Sequence, residues 1–298
     1  MAELEYFVVD VFTGTALEGN PLAVVMNTAA LSTARMQAIA QEFNLSETTF
    51  VERRPQQVER AEGVRVRIFT TQEELPFAGH PTLGTASVLR AMAPDTLQGD
   101  TLTLALNVGP VPVRFEGAGL FGEMTQPDPE FGQVLNPAEV ARLIGLSVDD
   151  LDPVLKPQVV STGTAFAIVM LRSCEALARL HVQQQEATAW LRERGARWFY
   201  VLAPTGEQQK ESAPCYRARM QFNGGEDPAT GSAAGCAISY LTQNETVASG
   251  CRIHVRQGVE VGRPSDLFLS ARLTAARVDQ VRVAGSTVSV ANGKLFLP

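Results

Sequence analysis

The sequence predicts an α/β (α+β) protein made of two similar domains, each a curved, mixed or antiparallel sheet wrapped on one long helix. Three observations carry that prediction. First, "FAGHPTLGTA" (77–86) and "EDPATGSAAG" (226–235) are two versions of one polar, proline-led helix start: His80 aligns with Asp227, Pro81 with Pro228, Gly84 with Gly231 and Thr85 with Ser232. Second, "GNPLAVVM" (19–26) and "GTAFAIVML" (163–171) repeat a turn-then-strand pattern at almost the same offset, which points to a duplicated unit. Third, most other segments are short strands separated by glycine turns, a pattern that favours hairpins over a doubly wound parallel sheet.

In the first half, alternation in "EYFVVDVF", "VRVRIF", "TLTLAL" and "VPVRFE" predicts strands. Ser32 is a good N-cap for a helix that buries Met36, Ile39, Ala40 and Phe43 and stops near Asn44. A second helix is expected from Pro81 to about Met92. The second half opens at "NPAEVARLIG", with Asn136 as N-cap, Pro137 as the first helical residue and Gly145 as the stop. There follow a strand over Ala165 to Leu171, a helix over about Glu186 to Arg194, strands in "RWFYVLAP" and "CYRARMQF", and the second motif helix from Pro228 to about Leu241. Five short strands are expected in the tail: "CRIHVRQG", "DLFLSARLT", "QVRVAG", "STVSVANG" and "KLFLP". Both motif helices are rich in glycine, alanine, serine and threonine, so sheet and helix can approach closely.

Composition narrows the function. The 298 residues are 45% apolar, with no run long enough to span a membrane. The chain starts with acidic residues and reads straight into a strand, so a cytoplasmic protein is expected. A net charge of −7 without clustered lysine and arginine argues against nucleic-acid binding. The four cysteines form no CxxC pair; Cys251 and His254 have ligand-like spacing but lack a second pair, and no metal site is expected. No GxxxxGK[ST] or GxSxG occurs, and no GxGxxG phosphate loop is expected after a strand.

The two helix starts are the candidates for chemistry. His80-Pro81 and Asp227-Pro228 read as N-cap and first helical residue, each at a helix terminus that favours anions. Gly79, Gly84 and Gly231 permit close backbone approach there. Unlike residues at the matched position, histidine and aspartate, suit one group that accepts a proton and one that donates it. Glu47, in "FNLSETTFV", follows the first helix between Leu45 and Phe50; alternation would turn it to water, whereas burial would give it general acid and base character. Ser232, in a helix's first turn, reads as a hydrogen-bond donor to substrate and not as a nucleophile.

Taken in order, "GNPLAVV", "NLSETTFV", "FAGHPTLGTA" and "EDPATGSAAG" resemble the PhzF-like phenazine-biosynthesis family, whose fold is similar to that of diaminopimelate epimerase. The resemblance implies two sheet barrels, each around a central helix, with the active site between them, no cofactor, and commonly a homodimer. It places domains at 1–122 and 123–283, with the tail 284–298 returning to the first. Among its residues, it implies Glu47 as the acid/base group, His80 and Asp227 as its catalytic partners, and Ser232 with the backbone around Gly79 and Gly231 as holders of a substrate carboxylate; Asn20 joins the substrate-binding set. Related racemases use one cysteine in each motif. Neither motif here has a thiol, and Cys236 lies one turn beyond Ser232, so two-cysteine racemisation is not expected. Asn223-Gly224-Gly225, and the lack of a histidine after Ser232-Ala233, depart from the family pattern next to the site.

The expected function is a cofactor-independent isomerase that moves a proton between carbons of a small carboxylate-bearing substrate. Two other readings fit the same residues: a cysteine-free epimerase or racemase, and a non-catalytic binder of small carboxylates.

Overall fold

A computed structural model of the chain describes residues 2–117, 119–208, 214–275 and 277–297. It forms two units, Met1–Thr125 with Ala284–Pro298, and Gln126–Val283. The first contains β1 (Ala2–Val11), β2 (Asn20–Val25), α1 (Thr33–Phe43), β3 (Glu47–Glu52), α2 (Gln56–Glu62), β4 (Val64–Phe69), β5 (Glu74–Leu75), α3 (Gly79–Met92), β6 (Thr101–Leu106), β7 (Gly109–Phe115) and β8 (Phe121–Thr125). The second contains β9 (Glu130–Val134), α4 (Pro137–Leu143), β10 (Gln158–Ser161), β11 (Ala165–Met170), α5 (Cys174–Ala178), α6 (Gln184–Glu193), β12 (Trp198–Gln208), β13 (Pro214–Arg219), β14 (Gln221–Phe222), β15 (Gly225–Glu226), α7 (Gly231–Gln243), β16 (Ile253–Gln257) and β17 (Ser265–Thr274). The last strand, β18 (Arg277–Leu297), starts in the second unit and ends in the first.

In the first unit the strand order is β1-β2-β3-β4-β6-β7-β8, and β18 neighbours both β8 and β1, which closes a barrel. The pairs β2/β3 and β4/β6 are parallel; β1/β2, β3/β4, β6/β7 and β7/β8 are antiparallel. Inside lies α3, buried from Gly79 to Leu89. Its small residues matter where sheet and helix meet: a Cβ on Gly84 would fall 2.6 Å from Leu22 Cδ2 and 2.7 Å from Val11 Cγ2. Thr85 and Thr49 hydroxyls bond at 2.8 Å, and the Ser87 and Thr287 hydroxyls bond at 3.1 Å, so these two buried helix hydroxyls pair with β3 and β18. On the sheet's other face, α1 covers Leu4, Val25, Phe50 and Phe69 with Met36, Ile39 and Ala40, while Phe43 is only partly buried. Ser32 caps α1, and Asn44 ends it in the left-handed region at φ 52, which turns the chain into β3.

The second unit repeats this plan, in the order β10-β11-β12-β13-β16-β17-β18 with β9 beyond β10. Again the second and third strands (β11/β12) and the fourth and fifth (β13/β16) are parallel, and again a buried helix, α7, precedes the fifth. The duplication inferred from two sequence matches is therefore a duplication of topology. A larger apolar cluster, including Val140, Leu143, Leu177, Leu191 and Phe199, packs α4, α5 and α6 on the outer face.

The structure corrects several expectations. Neither Pro81 nor Pro228 is a first helical residue. Ala78 is the N-cap of α3, so His80 and Pro81 lie within its first turn; Thr230 caps α7, so Asp227-Pro228 precedes it. Proline lacks an N–H and is tolerated throughout a first turn, where that N–H has no intrahelical acceptor, so its position locates a helix start only loosely. The last three expected tail strands are one, β18, running through Gly285 and Gly293. Both glycines are extended here; Gly293 lies opposite Tyr6, and a Cβ there would meet the phenol oxygen at 2.7 Å, so this glycine makes room for a cross-strand ring and does not turn. Gly117, Gly119 and Gly122 do have GxGxxG spacing after a strand, but Gly117 and Gly119 lie between the antiparallel strands β7 and β8 and Gly122 lies in β8, so a strand and not a helix follows. The short helices α2 and α5 were not expected from the sequence.

Gly84→Ala should destabilise the full chain by about 1–3 kcal/mol, because the added methyl is forced against a closed apolar layer. Urea unfolding measures it, and an unchanged midpoint would show that β1 and β2 can yield.

Candidate functional site

The first cluster forms where β2, β3 and α3 begin. Asn20 opens β2 opposite Val11, Glu47 opens β3 opposite Leu22, and His80 stands in the first turn of α3. Asn20 and His80 are buried, and the Glu47 side chain is 17% exposed, so alternation along β3 does not turn it out to water. The reason is visible in the strand, which is buried at Thr48, Thr49, Phe50 and Val51 alike, with helices on both faces.

The proton on His80 can be placed. The Asn20 amide nitrogen lies 3.2 Å from His80 Nδ1. With the Asn20 amide placed nitrogen towards the ring, Nδ1 accepts and the neutral ring carries its hydrogen on Nε2. Nε2 lies 3.4 Å from Glu47 Oε2, a close contact short of an aligned hydrogen bond. Burial pushes the His80 pKa down to about 3, so at neutral pH this contact is between a carboxyl group and an uncharged ring and is not an ion pair. Asn20, expected to bind substrate, thus also sets the tautomer of the ring.

In the second unit, buried Asp227 accepts a 2.7 Å hydrogen bond at Oδ2 from the Thr230 hydroxyl. Gln257, at the end of β16, donates to the Asp227 carbonyl at 2.8 Å and to Thr230 Oγ1 at 2.9 Å, and accepts from the Thr230 N–H at 3.1 Å and the Tyr200 hydroxyl at 3.0 Å. Gly231 and buried Ser232 begin α7, as Gly79 begins α3, so each glycine N–H belongs to the set a helix leaves without an intrahelical acceptor. Gln257 and Thr230 were not singled out from the sequence. A signal was present: Ile253, Val255 and Gln257 share the buried face of β16, and an amide at an apolar position demands partners.

Cys236 and His254 are held by their surroundings. Cys236 is fully buried, and burial pushes its thiol up to about 12, which leaves it protonated. His254 bonds Asp266 at 2.7 Å and stacks on Phe268. Among the described residues, no three histidine, cysteine or acidic side chains are grouped to hold a metal ion, and no helix is long and apolar enough to cross a membrane.

The family model of phenazine biosynthesis-like proteins (PhzC-PhzF) matches residues 9–293. A trans-2,3-dihydro-3-hydroxyanthranilate isomerase from Pseudomonas aeruginosa is 37% identical, over 98% of this chain and 99% of its own. Among solved structures, a PhzF-family phenazine biosynthesis protein from Bacillus anthracis superposes with a TM-score of 0.86 at 25% identity, covering 100% of both chains. A protein from Pseudomonas aeruginosa described as a predicted epimerase gives 0.81 at 31% identity, covering 99% of this chain and 100% of its own.

The neutral, buried ring has a consequence for stability. Unfolded, His80 takes up a proton near pH 6.5; folded, it stays neutral down to about pH 3. Between those values the unfolded chain binds more protons, so this contribution is complete above pH 6.5 and is lost as the pH falls towards 3, by at most about 1.4 kcal/mol per pH unit. In urea titrations from pH 7 to 4, His80→Gln should lose stability less steeply than the wild type; parallel slopes would mean that the folded ring titrates normally.

Proposed function

Since the chain belongs to the phenazine biosynthesis-like family, we propose that it is an isomerase in which Glu47 carries a proton from one carbon of a small carboxylate-bearing substrate to another, without a cofactor. The observation that carries this reading is the contact of Glu47 with a neutral His80 at 3.4 Å. A cation at that distance would hold the carboxylate ionised and make it a poor proton carrier. A neutral N–H at that distance leaves the carboxyl group free to take up a proton and give it back. Partial exposure of Glu47 gives substrate access to it, and burial of His80 and Asn20 keeps the supporting pair fixed.

The substrate we propose is trans-2,3-dihydro-3-hydroxyanthranilate, the compound in the name of the 37% identical relative. Its C–H beside an unsaturated system is acidic enough for a carboxylate base, and its carboxylate suits helix-terminal amides such as that at Gly79. Asp227 and Ser232, at the equivalent helix start of the second unit, are assigned as a second titrating group and a carboxylate anchor. A thiol-based epimerisation is disfavoured by the buried, protonated state of Cys236.

Proton NMR of the reaction in deuterated water tests the proposal. A migrated double bond with one solvent deuterium at the new C–H position is expected. Inversion at a stereocentre without migration would instead establish an epimerase. Glu47→Gln should lower kcat by about 10²–10⁴ with the fold intact, the range a positioned acid/base supplies; a fully active variant would remove Glu47 from the mechanism.

A further inference from the structure

We infer that Gln257 is a positioning residue, which aims the Thr230 hydroxyl at Asp227 and so holds Asp227 as a proton acceptor. The inference rests on the acid/base role proposed for Asp227. It starts from a side chain with no exposed surface whose four hydrogen-bonding positions are all taken, by Tyr200, the Thr230 N–H, Thr230 Oγ1 and the Asp227 carbonyl.

The direction of every bond that Gln257 makes in this array is forced. A backbone N–H can only donate, so the Gln257 atom facing the Thr230 N–H is oxygen; a carbonyl can only accept, so the atom facing Asp227 O is nitrogen. With the amide so oriented, Gln257 Nε2 donates to Thr230 Oγ1. That hydroxyl is left to donate its one hydrogen to Asp227 Oδ2. Donors thus run one way, with Tyr200 feeding Gln257, Gln257 feeding Thr230, and Thr230 feeding Asp227. Donation to a carboxylate oxygen favours the charged form over the protonated one. Without Gln257 the Thr230 oxygen loses the donor that fixes its orientation, and its hydrogen is free to turn away from Asp227.

The array is also braced. Gly258, next to Gln257, has φ +78, and a Cβ there would fall 2.6 Å from the Pro228 carbonyl. Backbone therefore packs on backbone where Gln257 meets Asp227. The titratable and charged groups nearby are Tyr200 on β12, whose phenol is kept protonated by burial and by Asp227, Cys236 on α7, and Glu226 on β15, which is paired at 2.7 Å with Arg219 on β13.

Thr230→Val removes the hydroxyl at nearly constant shape, Thr230→Ser restores it, and Gln257→Met removes the aiming amide. Carbon-13 NMR of the Asp227 carboxyl group in the full chain needs no substrate. Its titration midpoint should rise by about one pH unit in Thr230→Val and Gln257→Met and return near the wild-type value in Thr230→Ser. With trans-2,3-dihydro-3-hydroxyanthranilate, kcat should fall about tenfold or more in the first two variants, with KM within about threefold. Equal midpoints in wild type and Thr230→Val would overturn the array; if that variant fails to fold, Gln257→Met decides by the same measurement. A raised midpoint with unchanged kcat would leave the array standing and remove Asp227 from catalysis. Wild-type protein inert towards this substrate would refute the proposed substrate, while the titration still decides the array.

Discussion

Burial of one imidazole ring is the constraint on which the rest of the site depends. His80 is enclosed because α3 runs through the middle of a closed barrel, and the barrel admits the helix only because residues such as Gly84 carry no side chain. Enclosure removes the ring's charge, Asn20 fixes which nitrogen carries hydrogen, and Glu47 consequently meets an N–H and not a cation. Packing, ring charge and tautomer form one chain of cause, from small residues in a helix to the kind of nitrogen a neighbouring acid meets.

The two units show how one topology supports different local chemistry. In the first, the titratable residue lies inside the helix's first turn and is controlled by desolvation. In the second, Asp227 lies ahead of the helix N-cap, where burial of a carboxylate would be costly without donors. Thr230 donates to that carboxylate, and Gln257 bonds Thr230 and the Asp227 carbonyl. A histidine and an aspartate at equivalent sequence positions therefore need unlike surroundings, which explains why the supporting residues of the two starts show no sequence similarity.

Much of the fold was legible. The caps at Ser32 and Asn136-Pro137, the helix ending at Met92 and the alternating strands follow from local rules of hydrogen bonding and periodicity, and the structure places them as expected. The failures have local causes too. Proline marks a first turn but not its first residue, glycine marks a turn except where a partner ring needs its space, and glycine spacing resembles a phosphate loop even in a hairpin. For the site, the sequence singled out Glu47, His80 and Asn20 but could not show that they meet, because that contact depends on how β2, β3 and α3 converge. Whether Glu47 faces water was undecidable from alternation, since β3 is covered on both faces. Gln257 escaped notice because its significance lies in four partners spread over β12, the start of α7 and the loop before it.

Nitrogen-15 NMR of the His80 side chain, recorded on the full chain between about pH 5 and 8, tests the central claim most directly. The account predicts one neutral form with hydrogen on Nε2 and no titration across that range. A ring that gains a proton near pH 6.5, or carries its hydrogen on Nδ1, would contradict it.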